Sequence, residues 1–141
     1  MLSSGKCAWT GILFLLLTIG VVPVVQGQAL YVGPPVTLPR SHGVCGTYSY
    51  EAFNATAGQV FTSSISANDS LNVYVMNATQ YEAWQHQSFS GSCIAAESIG
   101  SQINVTSYVV TVNIPTTGTY YLILNNLSSS TTTAKVSANL T

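Results

Sequence analysis

Charge is what this 141-residue sequence has least of. Asp, Glu, Lys and Arg together make up 5% of it, and the formal net charge is −1, where an ordinary soluble domain is roughly 25% charged. With no basic patch and no polybasic segment, phosphate-backbone binding to nucleic acid and electrostatic attachment to anionic lipid are both excluded. Catalytic groups are missing as well. Downstream of the N-terminal apolar run the only acids are Glu51, Asp69, Glu82 and Glu97; Glu82 is expected to be occupied as a helix cap, and Glu51 lies mid-strand with no obvious carboxylate partner for glycoside chemistry. Ser92, in Ser90-Gly91-Ser92-Cys93, lacks the flanking glycines of a nucleophile elbow. His42 with Cys45 and His86 with Cys93 do not match a usual zinc spacing, and no His or Met follows Cys93 where a copper site needs one. No catalytic residue, metal ligand or cofactor is therefore expected.

A polar surface must then come from neutral groups, and Ser, Thr, Asn, Gln and Gly are abundant. Such a surface changes little with pH or salt, since few charges are there to titrate or screen. It would suit a harsh exterior such as acid; the plainer reading is a secreted Ser/Thr-rich domain.

The N-terminus has the three-part layout of an export signal. Lys6 supplies a positive start, an apolar run extends from Ala8 to Val25, and the small residues Gly27 and Ala29 mark the exit. Pro23 would break a helix near the end of that run. Cleavage after Gly27 or after Ala29 fits, which makes 1–29 a signal-peptide helix. The rival is an uncleaved anchor, because the run is close to the ~18 residues that span a bilayer. Removal of Cys7 with the signal would leave Cys45 and Cys93, an even number in an oxidising compartment. These two are expected to pair. A closed loop of roughly fifty residues is worth roughly 4 kcal/mol on the chain-entropy account.

Six of the nine asparagines head an Asn-X-Ser/Thr sequon: Asn54, Asn68, Asn77, Asn104, Asn126 and Asn139. Roughly two would arise by chance from the Ser/Thr content, so N-glycosylation at these positions is the expectation behind an export signal. Several fall where turns are anticipated.

Residues 30–43 read as an extended lead-in, either an edge strand beginning with a short run at Leu30–Val32 or a linker, broken by Gly33-Pro34-Pro35 and Pro39, and 44–141 as one β domain. Strands are expected at Val44–Phe53, Val60–Ile65, Leu71–Met76, Ile103–Val105, Tyr108–Val112, Thr119–Leu124 and Ala134–Leu140, with alternation clear in the first, third and last, and turns expected at Asn54–Gly58, Ala67–Ser70 and Ile114–Gly118. Thr79-Gln80-Tyr81-Glu82 has the form of a capping box and predicts a short helix over 80–86. Tyr81 and Trp84, three apart, would share its buried face, or else offer a stacking platform to a ligand. The pattern predicts an antiparallel β-sandwich of about seven to nine strands, jelly-roll-like, with one short helix.

Three pieces, Leu71–Met76 feeding Gln80–Trp84, then Val110–Pro115, then Gly118–Asn125, resemble the secreted jelly-roll domains of the pre-peptidase C-terminal and GOLD-like type, frequent in exported archaeal proteins. The resemblance covers about residues 44–140. It implies that Pro115 and Gly118 shape a turn, that Tyr120 and Leu122 face a core, and that the chain works in binding, adhesion or as an accessory. The acidic calcium ligands of some such domains are missing here.

Two functions stand beside each other. One is a secreted or cell-surface structural or adhesive protein, a subunit of an extracellular assembly whose residues 28–40 donate a strand to a neighbouring copy or other surface protein. The other is a carbohydrate or polymer-binding module using Tyr81 and Trp84. The membrane enters only through an uncleaved N-terminus.

Overall fold

A computed structural model describes residues 28–41, 45–89 and 97–141. Residues 1–27 of the predicted signal helix, His42 and Cys93 lie outside them, while Gln28 and Ala29, counted to that helix, instead begin a strand. The described chain is all-β, with seven antiparallel strands and one helix. In order these are β1 (Gln28–Val32), β2 (Val36–Leu38), β3 (Thr47–Ala55), β4 (Val60–Asn77), α1 (Ala78–Phe89), β5 (Gly100–Asn113), β6 (Gly118–Asn126) and β7 (Thr132–Leu140).

The strands form one nearly closed sheet in the order β1-β7-β4-β6-β3, with β2 also on β7 and β5 also on β4. The length of β4 explains how one sheet makes two layers. Its first half pairs with β7, from Phe61 on Leu140 to Ala67 on Ala134. Its second half pairs with β6, from Asn72 on Asn125 to Asn77 on Tyr120. Strand β5 follows β4 along both halves. The β4–β5 ribbon therefore belongs to both layers, and the interior lies in its fold.

Alternation decides which side chains fill that interior. Phe61, Ile65, Leu71, Val73 and Val75 of β4 face it, with Leu122 and Leu124 of β6 and Ala134, Val136, Ala138 and Leu140 of β7. Phe53 stacks on Phe61 at 4.6 Å. The turn between β5 and β6 falls where Pro115 and Gly118 place it. The Tyr120 hydroxyl donates to the Thr116 carbonyl across it at 2.6 Å, and Tyr120 and Leu122 are buried.

Three expectations change. The lead-in is the edge strand and not the linker: β1 and β2 both pair with β7, so 28–38 form an edge of this chain's own sheet instead of a strand donated elsewhere. The turn expected at Ala67–Ser70 is a bulged bend inside β4, where the register on β5 shifts between Ser66 and Leu71. The polar residues that signal a turn pin the bend instead: Asn68 Oδ1 accepts the Thr133 N–H at 2.7 Å, and Asp69 Oδ2 accepts the Ser128 hydroxyl at 2.9 Å. The helix also begins earlier, at Ala78, because its cap is Asn77. Asn77 Oδ1 accepts the Gln80 N–H at 2.9 Å and Gln80 Oε1 accepts the Asn77 N–H at 3.0 Å. This is the reciprocal box two residues ahead of Thr79 and Glu82, both of which stay exposed.

Candidate interaction surface

Helix α1 packs over β4 and β6, on the face of the sheet opposite the main core. Tyr81 and Trp84 do share its buried side, and with Tyr74, Met76 and Ile123 they form a second apolar cluster. Tyr81 stacks on Tyr121 at 4.1 Å. Its hydroxyl accepts from Gln85 Nε2 at 2.9 Å. Burial pushes the Tyr81 phenol well above its ordinary value, and the phenols of Tyr48 and Tyr50 add to the shift. Burial also raises Tyr74. A stacking platform made of Tyr81 and Trp84 is thus overturned: they are 6% and 3% exposed, because the i, i+3 pair is what holds the helix to the sheet.

What these rings do instead is support two others. On β3, Tyr48 and Tyr50 point to the same side and are 40% and 51% exposed. Tyr48 meets Trp84 edge-on at 4.8 Å, while Tyr50 lies 5.4 Å from Tyr81 and 5.9 Å from Tyr121. An exposed pair of tyrosines thus rests on a floor of fixed aromatic rings. Aromatic side chains held this way lose little freedom when they contact a partner. The sequence showed the alternation of Tyr48 and Tyr50 but not the helix that would lie beside them.

On the other face of β3, Glu51 occupies an inward-alternating position yet stays exposed. It lines a cleft of about 110 Å³ with Val36, Leu122, Leu124 and Val136, between β3 and the β2–β7 side. A larger hollow of about 550 Å³ lies at the bend of the ribbon, lined by Asn72, Ile103, Asn104, Leu127 and neighbouring serines. Ile103 and Leu127 are 61% and 50% exposed there. Among the described residues no three His, Cys, Asp or Glu side chains gather. Asp69 serves the β4 bend, and Glu82 projects from α1.

All six sequon asparagines fall within strand ranges, not in turns. An N-glycan is carried on the side-chain nitrogen, so which amide atom the fold uses separates them. In Asn54, Asn68 and Asn77 the oxygen is engaged, accepting from Thr119 Oγ1, Thr133 N and Gln80 N, which leaves the nitrogen to bear a sugar. Asn104 and Asn139 are exposed. Asn126 is the reverse. It is fully buried, and its Nδ2 donates to the carbonyls of Pro39 at 3.0 Å and Ser130 at 2.8 Å. A glycan on that nitrogen is incompatible with this fold, so the expectation for Asn126 is withdrawn. Cys45 sits half-buried before β3, and its carbonyl accepts from Asn125 Nδ2 at 3.2 Å.

No known family and no curated protein matches the chain. Among solved structures it is similar to PliG of Aeromonas hydrophila, a periplasmic lysozyme inhibitor of g-type lysozyme. The TM-score is 0.50 at 16% identity, over 76% of this chain and 86% of that chain. At this identity the likeness is one of fold.

Proposed function

We propose that this chain is an exported, glycosylated, non-catalytic β domain that works at the cell surface by contact with other proteins, in a structural or adhesive role. The observation that carries this reading is the exposed Tyr48–Tyr50 pair on its fixed aromatic floor. Aromatic anchors on a rigid base are what protein contacts are built around. PliG, an inhibitor by its description, supports the reading as a non-catalytic protein of similar fold that acts on a protein. The resemblance of the sequence to exported accessory domains points the same way. Export through the N-terminal signal, glycans on the sequons other than Asn126, and a Cys45–Cys93 bond belong to the same proposal.

The test uses the mature glycosylated protein, fluorescently labelled and added to the cells that export it. Binding is expected to saturate, and Tyr48→Ser with Tyr50→Ser to lower it at least tenfold with an unchanged circular dichroism spectrum. Equal binding by the double variant overturns the reading. A carbohydrate module is the second reading, and with Tyr81 and Trp84 buried it rests on Tyr48 and Tyr50. A glycan array probed with the same two proteins separates the two.

A further inference from the structure

We propose that the glycan on Asn104 is a built-in part of the folded surface, its first sugars seated in the hollow over Ile103 and Leu127. The inference rests on the glycosylated part of the reading above and deepens it for one site.

Three observations meet there. The first is backbone geometry. Asn104 is the one non-glycine residue with positive φ among the described residues, at +56°. It sits in β5 where the register on β4 slips between Leu71 and Val73. Asparagine tolerates this left-handed conformation better than most residues. The conformation is held from the neighbouring strand, where Asn72 Oδ1 accepts the Asn104 N–H at 2.9 Å. Asn72 is itself fixed by its Nδ2 bond to the Tyr74 hydroxyl at 3.1 Å. The acceptor site is thus presented by a braced bulge and not by a loose loop.

The second observation is what surrounds it. Ile103 precedes Asn104 in the chain, and Leu127 directly follows the end of β6. Both line the same hollow as Asn104, and both are among the most exposed large apolar side chains of the domain. Leu71 adds a third apolar residue, and the remaining lining is neutral and hydrogen-bonding, from Ser70, Asn72, Ser128 and Ser129. Apolar contact flanked by uncharged donors and acceptors is the chemistry that suits a sugar, whose C–H faces are apolar and whose hydroxyls need partners. A hollow of about 550 Å³ lies within the range that small-molecule sites occupy.

The third is the contrast with other sequons. The amides of Asn54, Asn68 and Asn77 use their oxygens to hold the local fold, and none of them lines this hollow. Asn104, by contrast, shares its depression with two exposed large apolar side chains.

The sugar also falls on an open strand edge. Strand β5 pairs with β4 alone among the described residues, and Gly100–Asn113 contains no charged residue. An uncharged edge of that length is a template for pairing with another chain unless something covers it.

The experiment uses the full chain expressed in a cell that exports and glycosylates it. Intact mass and glycopeptide mapping are read first. Thermal unfolding is then compared for the native glycoprotein, Asn104→Gln, Thr106→Ala and the control Thr56→Ala, which removes the Asn54 sequon at an exposed side chain, each also in a background carrying both Ile103→Ser and Leu127→Ser. Asn104→Gln and Thr106→Ala are both expected to lower Tm by about 3 to 6 °C and to raise binding of an apolar dye, whereas Thr56→Ala does neither. In the background that lacks the two apolar side chains, loss of the Asn104 glycan is expected to have no further effect on dye binding. Sugar-to-methyl nuclear Overhauser contacts at Ile103 and Leu127 are expected in the native glycoprotein alone. A glycan on Asn104 that shows none of these contacts, and whose loss leaves Tm and dye binding unchanged, overturns the proposal. An empty Asn104 beside other occupied sequons overturns it too, while the wider glycoprotein reading stands. No glycan at any sequon overturns both.

Discussion

The side-chain nitrogen of Asn126 donates to the carbonyl of Pro39, 87 residues earlier, at 3.0 Å. The same carbonyl accepts the Thr47 hydroxyl. One buried amide therefore ties the end of β6 to the chain leaving β2, on the side where the two layers approach without a strand ladder between them. Gly46 makes room for this: a Cβ there would come within 2.3 Å of the Asn126 carbonyl, and its φ is +70°.

Asn126→Ala removes a donor from at least two buried or half-buried carbonyls at once. A loss of about 2–4 kcal/mol is expected in urea unfolding of the mature domain. Glycan occupancy by intact mass is expected to be the same as in the native protein, because Asn126 carries no sugar in the folded chain.

The helix cap gives a second prediction. Asn77→Ala is expected to cost about 1 kcal/mol, since it takes away the acceptor for Gln80 N–H. Glu82→Gln is expected to cost far less, as Glu82 caps nothing here. If the two losses were reversed, the box would lie at Thr79–Glu82 after all. Denaturant midpoints of the two variants decide it.

The aromatic cluster separates stability from contact. Trp84→Ala is expected to destabilise by about 3–5 kcal/mol, as truncations of large buried side chains do. Tyr48→Ser removes an exposed ring and is expected to stay within about 1 kcal/mol. Its effect falls on cell binding. Paired measurements of unfolding and binding on the two variants show whether the surface and its floor divide the work in this way.

Alkaline pH offers a fourth test. Tyr74 and Tyr81 have folded-state values above the ordinary 10.0 because burial disfavours the phenolate. Their contribution is full below pH 10 and is lost as pH rises through the raised folded-state values, since the unfolded chain ionises first. Unfolding midpoints should therefore fall above pH 10. Absorbance at a phenolate band should show Tyr74 and Tyr81 ionising last or only with unfolding. A phenolate titration complete near pH 10 in folded protein would contradict their burial. On the acid side few carboxylates are present to protonate, so a flat profile is expected.

Much of this fold was legible because β alternation is local. Leu71, Val73 and Val75 announce one face and Tyr74 and Met76 the other, and both faces proved buried, one by the core and one by α1. What the residues could not say concerns their distant partners. Asn68 and Asp69 carry the composition of a turn, yet Thr133 and Ser128 hold them in a continuous strand. Asn77 looks like the last residue of a strand until Gln80 folds back onto it. Asn126 reads as a sugar acceptor, and only its burial beside Pro39 shows its nitrogen to be structural. The spacing of Tyr81 and Trp84 places both on one helical face, but which rings remain in solvent depends on β3, some thirty residues away in sequence and outside the roughly 11–18-residue window in which periodicity is read.

The pairing of Gln28 with Leu140 has a mechanical side. The outermost strand and the last strand leave the sheet at the same end, so tension applied between those two residues peels β1 from β7 one rung at a time. Tension between Gln28 and a partner seated on Tyr48 takes another route, crossing β7, β4 and β6 in turn. A domain tethered near Gln28 and gripped on its aromatic face would therefore carry load through its longest strand.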